Sequence, residues 1–365
     1  LAASVVLGFW LTYLTRAPLR LEERLAFGTA VGLAVTTLAA FVLALLAGLS
    51  PWLLAFVGAN AGAAGIIGLI ARPKPVQDDW RDFKGRSRAG RFWGEAGVFG
   101  GVSGLLLLIF SHAIFMQDGV IYAGFPNVWG DWNQHLAQTA GFAFGENLPP
   151  TLTTMSGHKL TYPFMTNFLS ALMVKGGLPL LTAMKVPAML LAVAGVGMVM
   201  AMTRALVGGA AATLAPVLFY FAGGLGFINA IDDLLRSNQS LFTFLANQPN
   251  NYTQAFDQGV VQNLDWLNPI FAYVVPQRAF LFGLPLLLGV ITLLAYAIRE
   301  RSRGIMLAAG LTAALLPFVH THALVFLGFL FLPLVWLTRR QVAGHRRKHI
   351  GWRDLEPWAY FLAPI

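Results

Sequence analysis

Residues 25–48 read LAFGTAVGLAVTTLAAFVLALLAG, a stretch without one ionisable side chain. As a helix it runs about 36 Å, more than the roughly 30 Å hydrocarbon core of a bilayer. A helix apolar on every side at that length is a membrane span and not the one-faced helix of a soluble domain. Outward from it, similar runs recur near 1–14, 52–71, 96–116, 184–203, 209–228, 279–298, 305–319 and 322–338, most of them bounded by Arg, Gly or Pro. Hydrophobic residues make up 57% of the chain and charged ones 11%. The expected fold class is all-α, a polytopic transmembrane helical bundle with two long extracytoplasmic loops containing short helices. The chain opens at Leu1 inside an apolar run and stops at Ile365 as Trp358 to Ile365 begins another, so it reads as a fragment of a longer polypeptide. Residues 1–14 read as a span and not as a signal-peptide core: no small-residue cleavage site follows, and Arg16, Arg20 and Arg24 flank the run.

The 25 Lys and Arg against 16 Asp and Glu give a formal charge of +9. In a soluble protein that excess would suggest nucleic acid; here it sits in short loops between spans, so no nucleic-acid partner is expected. Arg72, Lys74, Arg81, Lys84, Arg86, Arg88 and Arg91 fill one loop, Arg299, Arg301 and Arg303 a second, and Arg339, Arg340, Arg346, Arg347 and Lys348 a third. The positive-inside rule makes all three cytoplasmic. An anionic-lipid site is the rival reading of the 72–91 loop. The absence of Cys excludes disulfides, thiolate metal sites and a Cys nucleophile.

Two long segments are not spans. Residues 117–160 hold Asp118, Asp131, Glu146, His158 and Lys159, and residues 229–278 hold Asp232, Asp233, Arg236, Asp257, Asp265 and Arg278. Counting crossings from the basic loops puts both outside, provided that 161–175 is a short helix dipping into the bilayer and not a full crossing. The expected organisation is N-terminal helices with a basic loop over 1–95, then a module over 96–365 that carries both outside loops.

Chemistry concentrates at Gly130-Asp131-Trp132-Asn133-Gln134-His135. On a helix Asp131 and His135 share a face, which suits a base or a divalent metal ion; the competing reading makes Asp131 a helix N-cap. Downstream, Pro149-Pro150 and Ser156-Gly157 force an irregular loop that could aim His158, Lys159 and Tyr162 at a ligand, although Lys159 could equally snorkel towards headgroups. Gln277 and Arg278 open a span. A guanidinium there suits a phosphate, or serves as an interfacial anchor. His320 and His322 break the apolar stretch between Leu311 and Leu337; they could bind an anion or metal, or mark a turn between two helices. No phosphate-cradling Gly-rich loop with its Lys, Gly-x-Ser-x-Gly elbow or His-Glu-x-x-His helix is present. Most span centres lack ionisable groups, which argues against an ion-coupled transporter.

The string Gly130-Asp131-Trp132-x-x-His135, then Phe144-Gly145-x-Asn147-Leu148-Pro149-Pro150, then Ser156-Gly157-x-x-Leu160-x-Tyr162-Pro163-Phe164, resembles the GT-C superfamily of polytopic glycosyltransferases, in a poorly described bacterial branch. The likeness covers the layout and residues 130–175. It implies an inverting transfer of a sugar from a polyprenyl-phosphate-linked donor to a hydroxyl on an acceptor glycan, lipid or protein, on the extracytoplasmic face of a bacterial inner membrane. Asp131 matches the essential Asp of the first external loop and would be the base, with His135 as its partner or as a second ligand to a divalent ion. Lys159, Arg278, His320 and His322 would hold the donor phosphate, and Trp132, His158, Tyr162 and Gln277 would line the substrate. Departures are that His135 stands where better known members carry a second acid, and that extra helices precede the loop. The alternatives are a non-enzymatic transporter or assembly scaffold, and a lipid-modifying transferase using the His-Asp pair.

Overall fold

The computed structural model describes residues 1–155, 157–250, 252, 268–343 and 356–365. Asp257, Asp265 and the basic cluster Arg346, Arg347 and Lys348 lie outside them, as do the side chains of Arg339 and Arg340. The apolar runs form helices α1 (Ala2–Leu14), α2 (Leu21–Ala47), α3 (Pro51–Ala71), α4 (Pro73–Arg86) and α5 (Gly90–Ser111). After a hairpin, β1 (Ile114–Gln117) and β2 (Val120–Ala123), come α6 (Pro126–Phe144), α7 (Met165–Lys175), α8 (Leu180–Leu206) and α9 (Gly209–Tyr220). Then follow α10 (Phe227–Ser237), α11 (Leu241–Ala246), α12 (Arg278–Glu300), α13 (Arg303–Ala313), α14 (Leu316–Val319), α15 (Thr321–Ala343) and α16 (Glu356–Leu362). Of these, α2, α3, α5, α8 and α12 are long and apolar enough to cross a membrane. The protein is an all-α membrane protein with one small hairpin. Its hydrophobic core runs unbroken across residue 95, because α2 packs on both α8 and α12.

Small residues let the first helices approach closely. A Cβ on Gly8 would collide with the carbonyl of Gly28 and the backbone of Gly32, and one on Gly32 with the carbonyl of Ser4. Between the same helices Thr36 Oγ1 donates to Ser4 Oγ at 2.8 Å. In lipid, where apolar burial drives helix association little, such backbone contact and interhelical hydrogen bonding replace it.

Ion pairs hold the 72–91 loop against one end of the bundle. Arg24 reaches Asp79 at 2.8 Å, Arg86 reaches Glu22 at 2.8 Å, and Arg204 holds Glu23 at 3.0 Å and Glu95 at 3.2 Å. These contacts tie the start of α2, α4, the start of α5 and the close of α8 together. The hairpin, α6 and the start of α12 lie at the other end.

Three boundaries differ from the sequence expectation. The 96–116 run begins at Gly90 and stops at Ser111, and Asp118-Gly119 then turns a hairpin, both residues at positive φ (51° and 78°), as the favoured two-residue turn requires. The 209–228 run stops at Tyr220. The third is α7, expected to dip into lipid: its eleven residues span only about 16 Å, half a bilayer core. Met165 to Met173 are all buried, packed against α6, α8 and α2, so α7 is an internal helix shielded by protein.

Candidate functional site

Helix α6 begins at Pro126, whose fixed φ and missing N–H suit the first helical turn. Asp131 therefore sits inside the helix, and the N-cap reading is corrected. Val128, Trp132, His135, Thr139 and Phe142 recur at three- and four-residue spacing and form its buried face. Two contacts dock that face on the segment before α12: Trp132 Nε1 donates to the Val275 carbonyl at 2.9 Å, and the Asn127 side-chain amide to that of Phe271.

Beneath α6 lies a buried polar network. The Arg278 guanidinium donates to Asn167 Oδ1 at 2.7 Å, Ser170 Oγ at 2.6 Å and the Met184 carbonyl at 3.0 Å, and lies 5.5 Å from the centre of the Trp132 ring. Arg278 is 0% exposed, which corrects both the interfacial-anchor reading and that of a cation open to a ligand phosphate. An arginine can only donate, so Asn167 must present its oxygen to Arg278 and its amide nitrogen to the opposite side. That nitrogen donates to Gln138 Oε1 at 2.6 Å and lies 3.0 Å from His135 Nδ1, which must therefore accept. His135 is fixed as the neutral tautomer with its proton on Nε2. Burial, aided by the Arg278 charge, pushes the His135 imidazole down to about 3, so it stays neutral at physiological pH.

Asp131 faces outward from α6 and, among the described residues, makes no ion pair or hydrogen bond. Partial burial raises its carboxyl above the ordinary range, and its charge in turn raises the Tyr162 hydroxyl, whose first cause is burial. The Tyr162 ring stands 5.9 Å from that of His135. Asp131, His135 and Tyr162 thus come together, with Trp132 behind them and Gln277 at the start of α12.

His158 and Lys159 occupy a small antiparallel turn in which Thr151 pairs with Lys159; both are exposed and their side chains have no partner. His320 and His322 form a separate group. His320 ends α14 and His322 lies just inside α15, which bears out the turn reading; their rings are 5.5 Å apart, and His320 packs edge-on to Phe280 at 5.8 Å. A groove of about 270 Å³, walled by Phe41, Leu160, Tyr162, Phe164, Phe318 and Thr321, runs from the Tyr162 side to this corner.

Sequence reasoning missed Gln138, Asn167 and Ser170. The signal was present: Asn167 and Ser170 are polar residues one turn apart in the largely apolar α7, and such a pair needs buried partners. As a metal site Asp131 and His135 do not fit. His135 Nδ1 is engaged by Asn167, and among the described residues no three His, Asp or Glu side chains converge. No known protein family, curated protein or solved structure matches the chain.

Proposed function

We propose that this protein is a membrane glycosyltransferase of the GT-C type. It moves a sugar from a polyprenyl-phosphate-linked donor to an acceptor hydroxyl on the extracytoplasmic face, with Asp131 as base. The observation that carries the reading is the state of Asp131. Each of the carboxylates Glu22, Glu23, Asp79, Asp82 and Glu95 at the basic end is held by an arginine, whereas Asp131, at the opposite end, is unpaired among the described residues and raised in pKa. An unpaired carboxylate of raised proton affinity is what removal of a hydroxyl proton needs.

In the reaction, Asp131 takes the acceptor proton as the acceptor oxygen bonds to the anomeric carbon. The bond from that carbon to the phosphate oxygen breaks on the far side, and the lipid phosphate leaves with the electron pair. A single displacement inverts the anomeric centre. His135, with its proton on Nε2, supplies a hydrogen-bond donor that stays neutral at physiological pH. Lys159, His320 and His322 are the cationic or donor groups left to meet the phosphate, and their chain neighbours Leu160 and Thr321 line the groove that starts at Tyr162. Arg278 acts from behind, through Asn167 and His135.

The test is transfer from radiolabelled polyprenyl-phosphate sugars by the purified protein and by Asp131→Asn. Coupled release of lipid phosphate that falls by about 10²-fold or more in a folded variant is the expected result. Equal turnover by the variant removes Asp131 from the role of base. No turnover with any donor, and no shift in melting temperature on adding one, would favour the transporter or scaffold alternative.

A further inference from the structure

Helix α4 joins the ends of two helices of spanning length, α3 and α5, so it lies across the basic end of the bundle. At 100° per residue its positions divide into two sides. Asp79, Asp82, Phe83 and Arg86 share one, and Lys74, Gln77, Arg81 and Lys84 the other. The first side is spent inward: Asp79 accepts from Arg24 at 2.8 Å, and Arg86 forks onto Glu22 at 2.8 and 3.0 Å and reaches Asp82 at 2.7 Å. Two of the helix's three acids are thereby engaged, and its second side keeps the cations. Lys74, Lys84 and, at the helix ends, Arg72 and Arg88 have no ion pair; Arg81 has only a loose contact with Asp78 at 3.6 Å, both side chains more than two-thirds exposed.

Aromatic rings fix the depth of this surface. Trp80, Phe83, Phe92 and Trp93 form a ladder with successive centroid spacings of 5.5, 5.3 and 5.5 Å. Trp80 is 48% exposed and Trp93 66%, and the Lys84 ammonium stands 5.2 Å over the Trp80 ring. Exposed Trp beside unpaired Lys and Arg, at the close of one span and the start of the next, is the arrangement of a helix lying at headgroup level.

We propose that the outward side of α4, with Arg72, Lys74, Lys84 and Arg88, is a binding surface for the headgroups of anionic phospholipids. Charge complementarity selects the occupant. At this depth the anions within reach of four unpaired cations are lipid phosphates, and an anionic lipid differs from a zwitterionic one in having no headgroup ammonium to cancel the phosphate charge and repel those cations. The inward pairs Arg24–Asp79 and Arg86–Glu22 act as the clamp that turns the cationic side outward. This surface stands at the opposite end from Asp131 and does not depend on the glycosyltransferase reading.

The test compares the full chain with the variant Arg72→Gln, Lys74→Gln, Lys84→Gln, Arg88→Gln. Both are extracted from membranes of equal phosphatidylglycerol and phosphatidylethanolamine content, and the co-purifying lipid is counted by mass spectrometry. The wild type should retain phosphatidylglycerol several-fold over phosphatidylethanolamine, and the variant should retain the two equally. None of the four residues is in an ion pair, so the variant should fold. If it does not, wild type washed at about 1 M salt, where screening contracts to about 3 Å, should lose the preference. Equal retention of phosphatidylglycerol by wild type and variant overturns the proposal, as does a preference that survives the salt wash. A rise in melting temperature as large with inorganic phosphate as with phosphatidylglycerol would also overturn it, since the occupant would then be a free anion.

Discussion

The Arg278 guanidinium makes its three hydrogen bonds to neutral oxygens of Asn167, Ser170 and Met184, with no carboxylate among its partners. A buried charge so arranged is sustained by dipoles and by the Trp132 face, and its field reaches the next group in line, His135. In the unfolded chain that imidazole titrates near 6.5, and in the fold at about 3. Between those values the unfolded state binds the extra proton. The contribution is therefore complete above about pH 6.5 and is lost as pH falls towards 3, on the order of 3 kcal/mol by about pH 4.5. Thermal unfolding in detergent should show wild type losing stability from neutral pH to about pH 4.5 and His135→Gln losing markedly less. Parallel curves would mean that His135 is protonated in the fold and that Asn167 does not hold its tautomer. The raised carboxyl of Asp131 is common to both proteins and cancels in the comparison.

At the scale of elements, what the sequence disclosed depended on which signal was strong. Spans were legible because composition alone specifies them: 25–48 became α2 (Leu21–Ala47), and 279–298 became α12 (Arg278–Glu300). Asp118-Gly119 between Phe115-Met116 and Ile121-Tyr122 is a hairpin signal in plain view, masked because the apolar run over 96–116 takes in most of the first strand. Pro126 likewise marked the true start of α6. The site was legible in part. Tyr162 neighbours both His135 and Asp131, whereas the hydrogen-bond partner of His135 lies more than 30 residues away in α7 and is itself held by Arg278, and no local pattern links residues at that separation. Close helix contact makes its own prediction. Gly32 faces the backbone of α1 with no room for a Cβ, so Gly32→Leu should separate α1 from α2 at a cost of about 3 kcal/mol or more. The melting temperature should fall sharply, while Gly58→Leu, where a Cβ meets nothing, should leave it near wild type. Equal effects would show that the α1–α2 contact does not set the cost, since helix propensity alone favours Leu over Gly at both positions.

For the whole molecule, the proposed sidedness rests on the order of crossings once α7 is removed from their count. From the basic end, α5 crosses to the hairpin and α6, α8 returns to Arg204, the chain regains the far end by Arg278, and α12 returns to Arg299. Each return ends in arginine: Arg204 joins Glu23 and Glu95, and Arg299 Nη2 donates to the Ala205 carbonyl at 2.6 Å, so the two returning helices close on each other. On the proposed reading, the positive-inside rule makes this end cytoplasmic and puts Asp131 on the extracytoplasmic side. The chain contains no cysteine, so a single introduced thiol reports its own side without background. Lys159→Cys, at the turn beside Tyr162, should react with a membrane-impermeant maleimide in intact cells. Lys84→Cys, on the outward side of α4, should react only after the membrane is opened. Both positions are exposed, so lack of reaction cannot come from burial in the fold. Labelling of Lys84→Cys alone in intact cells would reverse the orientation and put Asp131 on the cytoplasmic face, where the proposed donor would have to be presented from the inner leaflet. Labelling of both from outside would mean that the crossings between α4 and α6 are even in number. The α5 helix would then be re-entrant, although its length and composition suit a span.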